Sequence, residues 1–209
     1  MDVAIIGAGS VGSALAGSLT RASHAVTITA STEERAAAVA ERTGATPAAS
    51  TVEAVDAADA VVLAVPNGVI DGLIQEIAPV VSGKILIDVT NRISRDDPAA
   101  VLDGTSNAER IQALAPGARV VKAFNYAFAA RMAEPIVDGI PLDGFVAGDD
   151  EAAKARVLDL IGSIGFRPID VGSLAMARAL EALASLIVSL RIRNGWRGRN
   201  GWKLIGPTD

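Results

Sequence analysis

The chain has 209 residues, half of them hydrophobic and only 3% aromatic, with a net charge of −5 and no cysteine; that suits one aliphatic core and a small second unit. The missing cysteines exclude disulfides, thiolate metal sites and cysteine nucleophiles, and agree with a reducing cytosol, so a cytoplasmic location is expected. The longest apolar run, residues 182–190, holds two serines and is too short to cross a bilayer, and the opening apolar run is too short for a secretory leader.

A short apolar strand at residues 2–6 runs straight into Gly7, Gly9 and Gly12 and then a helical pattern reaching about residue 22. This strand, turn and helix read as a dinucleotide clamp. Gly7 permits the tight turn, Gly9 lets the backbone approach a pyrophosphate, and Gly12 lets the helix lie close on the strand. Backbone N–H groups at Ser10 and Val11 then face the phosphates, aided by the positive end of the helix dipole.

The second strand is Ala25–Thr29. His24, the single histidine, precedes it and so falls at the amino end of the sheet, away from a cofactor, in a structural role. An S-x-x-E capping box, Ser31 to Glu34, opens a helix that stops at Gly44. The end of this strand sets the ribose chemistry: an acid there suits a free 2′-hydroxyl, whereas donors and positive charge suit a 2′-phosphate. The chain has Ala30, Ser31 and Thr32, with Arg35 one turn on, which favours NADP. Glu33 and Glu34 are explained by the helix N-terminus.

A second box, Ser50 with Glu53, opens a short helix before a strand at 60–65; a helix over 69–80 and a strand over 84–89 follow. A third box, Ser106 with Glu109, starts a helix closed at Pro116-Gly117, ahead of a strand at 119–123. The next twenty residues carry no clear period. A strand near 144–148, a helix from Asp149 or Asp150, a strand near 166–171 and a helix over 173–193 complete the chain. This alternation predicts an α/β fold: a Rossmann, doubly wound, mostly parallel sheet with a small C-terminal helical unit. The units are expected at 1–171, binding NADP, and 172–209, helical and dimerising.

Ligands of such sheets bind beyond the carboxyl ends of the strands. The candidates there are Val65, Pro66 and Asn67; Asn91; and Lys122, Ala123 and Asn125. Lysine inside an apolar run demands a partner, and the cofactor is the expected one.

Residues 171–209 carry six cations against two carboxylates, a local balance of +4 that leaves −9 for the rest of the chain. A polyanionic ligand or an acidic partner face suits this patch better than nucleic acid, which the acidic body would repel, and no nucleic-acid module is visible. Asn194-Gly-Trp196 recurs as Asn200-Gly-Trp202, a turn-rich segment whose tryptophans are expected to pack back on the body. The last helix has more apolar surface than one stripe requires, so a homodimer is expected and no membrane partner. No catalytic acid or base and no metal ligand set is assigned. An alcohol dehydrogenase needs a positioned proton donor, whereas hydride exchange between two redox cofactors rests mainly on orienting two rings.

Several segments together resemble one family across nearly the whole chain. They are the Gly7-Ala-Gly-Ser-Val-Gly12 loop, Ile87-Asp-Val-Thr-Asn91, Ser106-Asn-Ala-Glu109, Val120-Val-Lys-Ala-Phe-Asn125, Gly148-Asp-Asp150, and Asp170-Val-Gly-Ser-Leu-Ala-Met-Ala-Arg178 with Leu180-Glu181. They are similar to the NADP oxidoreductases dependent on coenzyme F-420 and to the reductase domain of the STEAP metalloreductases. The resemblance implies a Rossmann domain with a C-terminal helical unit, often dimeric, passing hydride between NADP(H) and a deazaflavin or flavin as second substrate. Relatives commonly have Gly-Ser-Arg where this chain has Ala30-Ser31-Thr32, so the arginine for the 2′-phosphate is missing there and Arg35 stands in for it. The alternatives are an NADPH-dependent flavin or ferric reductase, and a non-catalytic NADP-binding sensor.

Overall fold

The structure, a computed structural model, describes residues 1–92 and 104–206. The parallel part of its sheet is made by β1 (Asp2–Ile6), β2 (Ala25–Thr29), β3 (Thr46–Pro47), β4 (Ala60–Leu63), β5 (Ile85–Asp88) and β6 (Arg119–Ala123). With β9 (Asp143–Gly148) and β10 (Arg167–Asp170) they form eight strands in the order β10-β9-β6-β5-β4-β1-β2-β3. β1 lies between β2 and β4, so the chain winds outward in both directions from the β1/β4 seam.

Side chains alternate across each strand, and each face is covered by helices. Val3, Ile5, Ile28, Val62 and Ile87 pack under α1 (Ser10–Arg21), α2 (Glu33–Thr43) and α7 (Glu151–Ser163). Ala4, Ile6, Val61, Leu63 and Leu86 pack under α3 (Thr51–Ala57), α4 (Ile70–Ile77) and α5 (Asn107–Leu114). This is the expected doubly wound α/β architecture, Rossmann-like and mostly parallel.

β9 runs antiparallel to β6. Between them the chain makes only the five-residue α6 (Ala129–Ala133) and a small hairpin, β7 (Ile136–Val137) with β8 (Ile140–Pro141). It therefore stays at the carboxyl end of the sheet and returns antiparallel, since a parallel crossover needs a dozen or more residues, usually with a full helix. These elements are too short to leave a period in the sequence.

Other boundaries move. The cap of α2 is Thr32, whose hydroxyl accepts from the Arg35 backbone N–H at 3.3 Å, and not Ser31. The backbone is extended at Thr32 and turns helical after it, so the S-x-x-E box is displaced by one residue. The Ser106 box forms in full, with Glu109 reaching back to the Ser106 N–H. The helix expected over 69–80 is a 3-10 turn at Asn67–Val69 followed by α4. The last helix, α8 (Ala177–Asn194), follows a 3-10 turn at Leu174–Met176 and ends at Gly195 in the left-handed conformation. Among the described residues, no helix is long and apolar enough to cross a membrane.

Residues of the expected 172–209 segment lie directly on the sheet. Leu180 and Ala184 join Tyr126, Phe145 and Ala147 in a third cluster, against which Trp202 packs. The Trp202 carbonyl accepts from Asp143 N at 3.0 Å, and Arg131 Nε donates to the Arg199 carbonyl at 2.6 Å. Trp202 thus packs back on the body, whereas Trp196, in the same tripeptide, stays about half exposed.

Candidate functional site

The loops leaving β1 and β4 meet at the seam, and three glycines decide how closely. Gly7 has φ +117°, and a Cβ there would lie 2.3 Å from the Ala64 carbonyl oxygen. A Cβ on Gly12 would lie 1.8 Å from the Gly7 carbonyl oxygen. Both glycines are demanded by the fold itself. Gly9 is different: its φ of −79° suits any residue, and the space where its Cβ would go is open, with nothing within 4 Å. Gly9 is also the cap of α1 and has no side chain to satisfy the first N–H groups of that helix. The loop thus leaves open space beside the first N–H groups of α1, at the positive end of the helix dipole.

Around this loop lie two cavities. The larger, about 780 Å³, is lined by Gly7, Gly9, Ser31, Arg35, Val65 and Pro66 from the expected set. Sequence reasoning missed Thr51, Leu73 and Glu76 on its far wall; helical spacing places Leu73 and Glu76 together on α4, but nothing local says that they face a ligand. Arg35 donates to the Ser31 hydroxyl at 3.3 Å, holding a guanidinium over the end of β2. Thr32 is turned to its capping bond and lines a neighbouring hollow of about 190 Å³. Asn67 opens the 3-10 turn after β4, and its Oδ1 is buried with no hydrogen-bond partner among the described residues.

The smaller cavity, about 300 Å³, begins where the first ends, at Ser10 and Val11, and includes Asn91 and Asn125. Its apolar wall is Phe128 and Met132, unseen in the sequence, with Ile187 and Val188 of the apolar last helix. The i, i+4 spacing of Phe128 and Met132 was the available signal. Tyr126 also lines it; its hydroxyl donates to the Phe145 carbonyl at 3.2 Å, and burial pushes the phenol upward, so it stays neutral.

Asn91 and Asn125 form a reciprocal pair. Asn91 Nδ2 donates to the Asn125 carbonyl at 2.7 Å, and Asn125 Nδ2 donates to Asn91 Oδ1 and to the Leu180 carbonyl, both at 2.9 Å. The left-handed turn at Phe124, φ +63°, swings Asn125 off the end of β6. Asn125 Oδ1 remains buried without a hydrogen-bond partner among the described residues.

Lys122 does not reach either cavity. Its side chain has no exposed surface, and Nζ donates to Asp88 at 2.7 Å, the Thr90 carbonyl at 2.7 Å and Glu181 at 2.9 Å. The lysine that the sequence assigned to a cofactor has found its partners inside the protein, because β5 sets Asp88 opposite it and α8 delivers Glu181. Ala123 is likewise fully buried, in the sheet core. His24 lies before β2, at the opposite end of the sheet, with Nε2 2.9 Å from the Ser163 hydroxyl; burial and the nearby N-terminus hold its pKa below the ordinary histidine range.

Residues 2–92 match the family described as NADP oxidoreductase, coenzyme F420-dependent. The F420-dependent NADP reductase of Methanocaldococcus jannaschii is 32% identical over 147 residues, 67% of this chain and 65% of that protein. Metalloreductase STEAP3 of Rattus norvegicus is 35% identical over 125 residues, 58% of this chain and 23% of that protein. The chain thus matches less than two thirds of the length of these curated relatives. A crystal structure from Arthrobacter sp. FB24, provisionally assigned as an F420-dependent NADP reductase, superposes with a TM-score of 0.86 at 29% identity, covering 99% of this chain and all of that one.

Proposed function

The chain belongs to the coenzyme F420-dependent NADP oxidoreductase family, and we propose that it is an enzyme transferring hydride between NADP(H) in the larger cleft and coenzyme F-420 in the smaller one. The observation that carries this reading is the Gly9 cradle, open where a pyrophosphate needs room and ringed by helical N–H groups. Ser31 and Arg35 supply a donor and a cation for the 2′-phosphate, with Glu76 the one acid lining the same cleft among the described residues. NADP(H), when bound, supplies or takes up the hydride.

The protein's own part is orientation. Ser10, Val11 and the Asn91–Asn125 shelf border the cavity in which two rings would stack, and the spare Asn125 Oδ1 suits the N–H of a carboxamide. Phe128, Met132, Ile187 and Val188 offer an apolar wall to an aromatic acceptor. The Arg191 guanidinium, 6.0 Å over the Phe128 ring, supplies a cation for an anionic tail on that acceptor. No carboxylate, histidine or lysine lines this cavity among the described residues, which fits a reaction needing alignment more than proton transfer.

The similarity to a metalloreductase favours a second reading, an NADPH-dependent flavin or ferric reductase. A homodimer and a cytoplasmic location belong to the proposal. Leu186, half exposed on α8 between the half-buried Leu183 and Leu190, supports the dimer. The test is stopped-flow mixing with NADPH and, separately, deazaflavin, FMN, FAD and a ferric chelate. Fast reduction of the deazaflavin alone is expected; faster reduction of a flavin or the ferric chelate would transfer the assignment to the second reading.

A further inference from the structure

Three charged side chains without exposed surface meet beneath the small cavity: Asp88 from β5, Lys122 from β6 and Glu181 from α8. Arg92, with Nε 3.3 Å from Glu181 Oε2, brings the group to two cations and two carboxylates. Taking such groups out of water is costly, and apolar side chains of the same volume often serve stability as well. What the cluster holds is therefore more informative than what it contributes to stability.

It holds one residue from every side. Asp88 Oδ1 accepts from the Thr90 N–H at 2.8 Å and the Thr90 hydroxyl at 2.7 Å, while Lys122 takes the Thr90 carbonyl. Asn107 Nδ2 donates to the Thr90 hydroxyl at 2.9 Å, and Glu181 Oε1 accepts from the Asn107 N–H at 2.7 Å. The next residue is Asn91. Its partner Asn125 is tied to the Leu180 carbonyl, the residue before Glu181. Two successive residues of α8 thus fix both halves of the shelf, and later turns of the same helix, at Ile187 and Val188, form the cavity wall.

We propose that Glu181, through Lys122 and Thr90, is a positioning residue that sets the Asn91–Asn125 shelf against the bound nicotinamide, so that α8 controls ring alignment without touching the dinucleotide's anchors. This rests on the NADP(H) reading above. The anchors at Gly9, Ser31 and Arg35 lie in the other cleft and share no residue with the cluster. Misplacing a reacting ring by about 1 Å costs on the order of a hundredfold in rate, whereas the grip on the adenylate and pyrophosphate is untouched.

The test compares wild type, Glu181→Gln, Asn91→Ala and the double variant in NADPH titration, nicotinamide fluorescence and single-turnover acceptor reduction. For Glu181→Gln, NADPH affinity should stay within about threefold and turnover fall by about a hundredfold, with nicotinamide emission shifted toward that of free NADPH. The double variant should be little slower than Asn91→Ala alone, because one residue acts through the other. Unchanged turnover, a loss wholly in affinity, or effects that multiply would overturn the proposal. A wild type that binds NADPH but reduces no acceptor would defeat the proposed function, while the emission comparison still decides the shelf. If Glu181→Gln does not fold, the triple Asp88→Asn/Lys122→Met/Glu181→Gln, which removes the three fully buried charges and keeps the partly exposed Arg92, replaces it. Restored melting temperature with slow turnover supports positioning; recovery of both, or failure of the triple to fold, marks a purely structural cluster and overturns it.

Discussion

Replacing the three glycines of the first loop one at a time should separate fold from function. Gly12→Ala would put a methyl group 1.8 Å from the Gly7 carbonyl oxygen, and Gly7→Ala combines a 2.3 Å contact with φ +117°. Neither neighbour is a flexible side-chain end, so backbone must move, α1 away from the Gly7 carbonyl in the first case and the glycine loop away from Ala64 in the second, at a cost in the range of about 1–3 kcal/mol typical of overpacking. Gly9→Ala meets nothing within 4 Å at φ −79°, and restricting the unfolded chain there should leave stability unchanged or raised by about 0.4–1 kcal/mol. Its methyl group nevertheless occupies the cradle. Losing even one charge-assisted bond between the phosphates and helical N–H groups, at about 1.5–3 kcal/mol each, weakens NADPH binding by about tenfold or more. Urea denaturation and calorimetric titration on the three variants give both quantities. Wild-type affinity in Gly9→Ala, or a Gly9→Ala protein as unstable as Gly12→Ala, would refute the reasoning.

NADP(H) should bind at least about tenfold more tightly than NAD(H), about 1.4 kcal/mol, and Arg35→Ala should narrow the gap; calorimetry with both nucleotides measures it, and equal affinities would contradict the role given to Ser31 and Arg35. His24→Ala should keep turnover within about threefold, since its ring sits at the amino end of the sheet and serves no proton transfer at the cleft; steady-state kinetics decide. Glu109 is held down to about 2 chiefly by the Arg178 guanidinium, with the Ser106 N–H and hydroxyl adding to it against burial. A depressed carboxyl stabilises the fold above its ordinary value near 4.5 and loses that contribution as pH falls toward 2. Arg178→Gln should therefore destabilise the fold only slightly near pH 7, because the pair is solvent-screened at the half-exposed Arg178, and the difference from wild type should shrink steadily in acid denaturation series.

Much of the fold was legible because it is written in local patterns. The glycine loop, the apolar strands and the Ser50 and Ser106 caps each announce themselves within a few residues, and strand alternation with helices implies the doubly wound sheet. The displaced cap at Thr32 shows the limit, since Ser31 and Thr32 carry equivalent hydroxyls and only the backbone turn chooses between them. Lys122 shows a deeper one. The sequence rightly demands a partner for a lysine in an apolar run, but Asp88 and Glu181 lie 34 and 59 residues away, and only the assembled sheet and helix bring them to it. The cavity wall at Phe128 and Met132 falls in a stretch where the i, i+4 spacing of those two residues is the available signal, and the five-residue α6 is too short for that spacing to repeat.

The central claim is direct passage of hydride from a nicotinamide in this cleft to a second redox cofactor beside it. Anaerobic turnover of NADPH deuterated at the transferable position of the nicotinamide, with mass analysis of the reduced deazaflavin, measures that passage. The account expects one deuterium in the product from one face of the nicotinamide and none from the other, lost in step with binding in Gly9→Ala. Product reduced without deuterium from either face, or labelled equally from both, would contradict it.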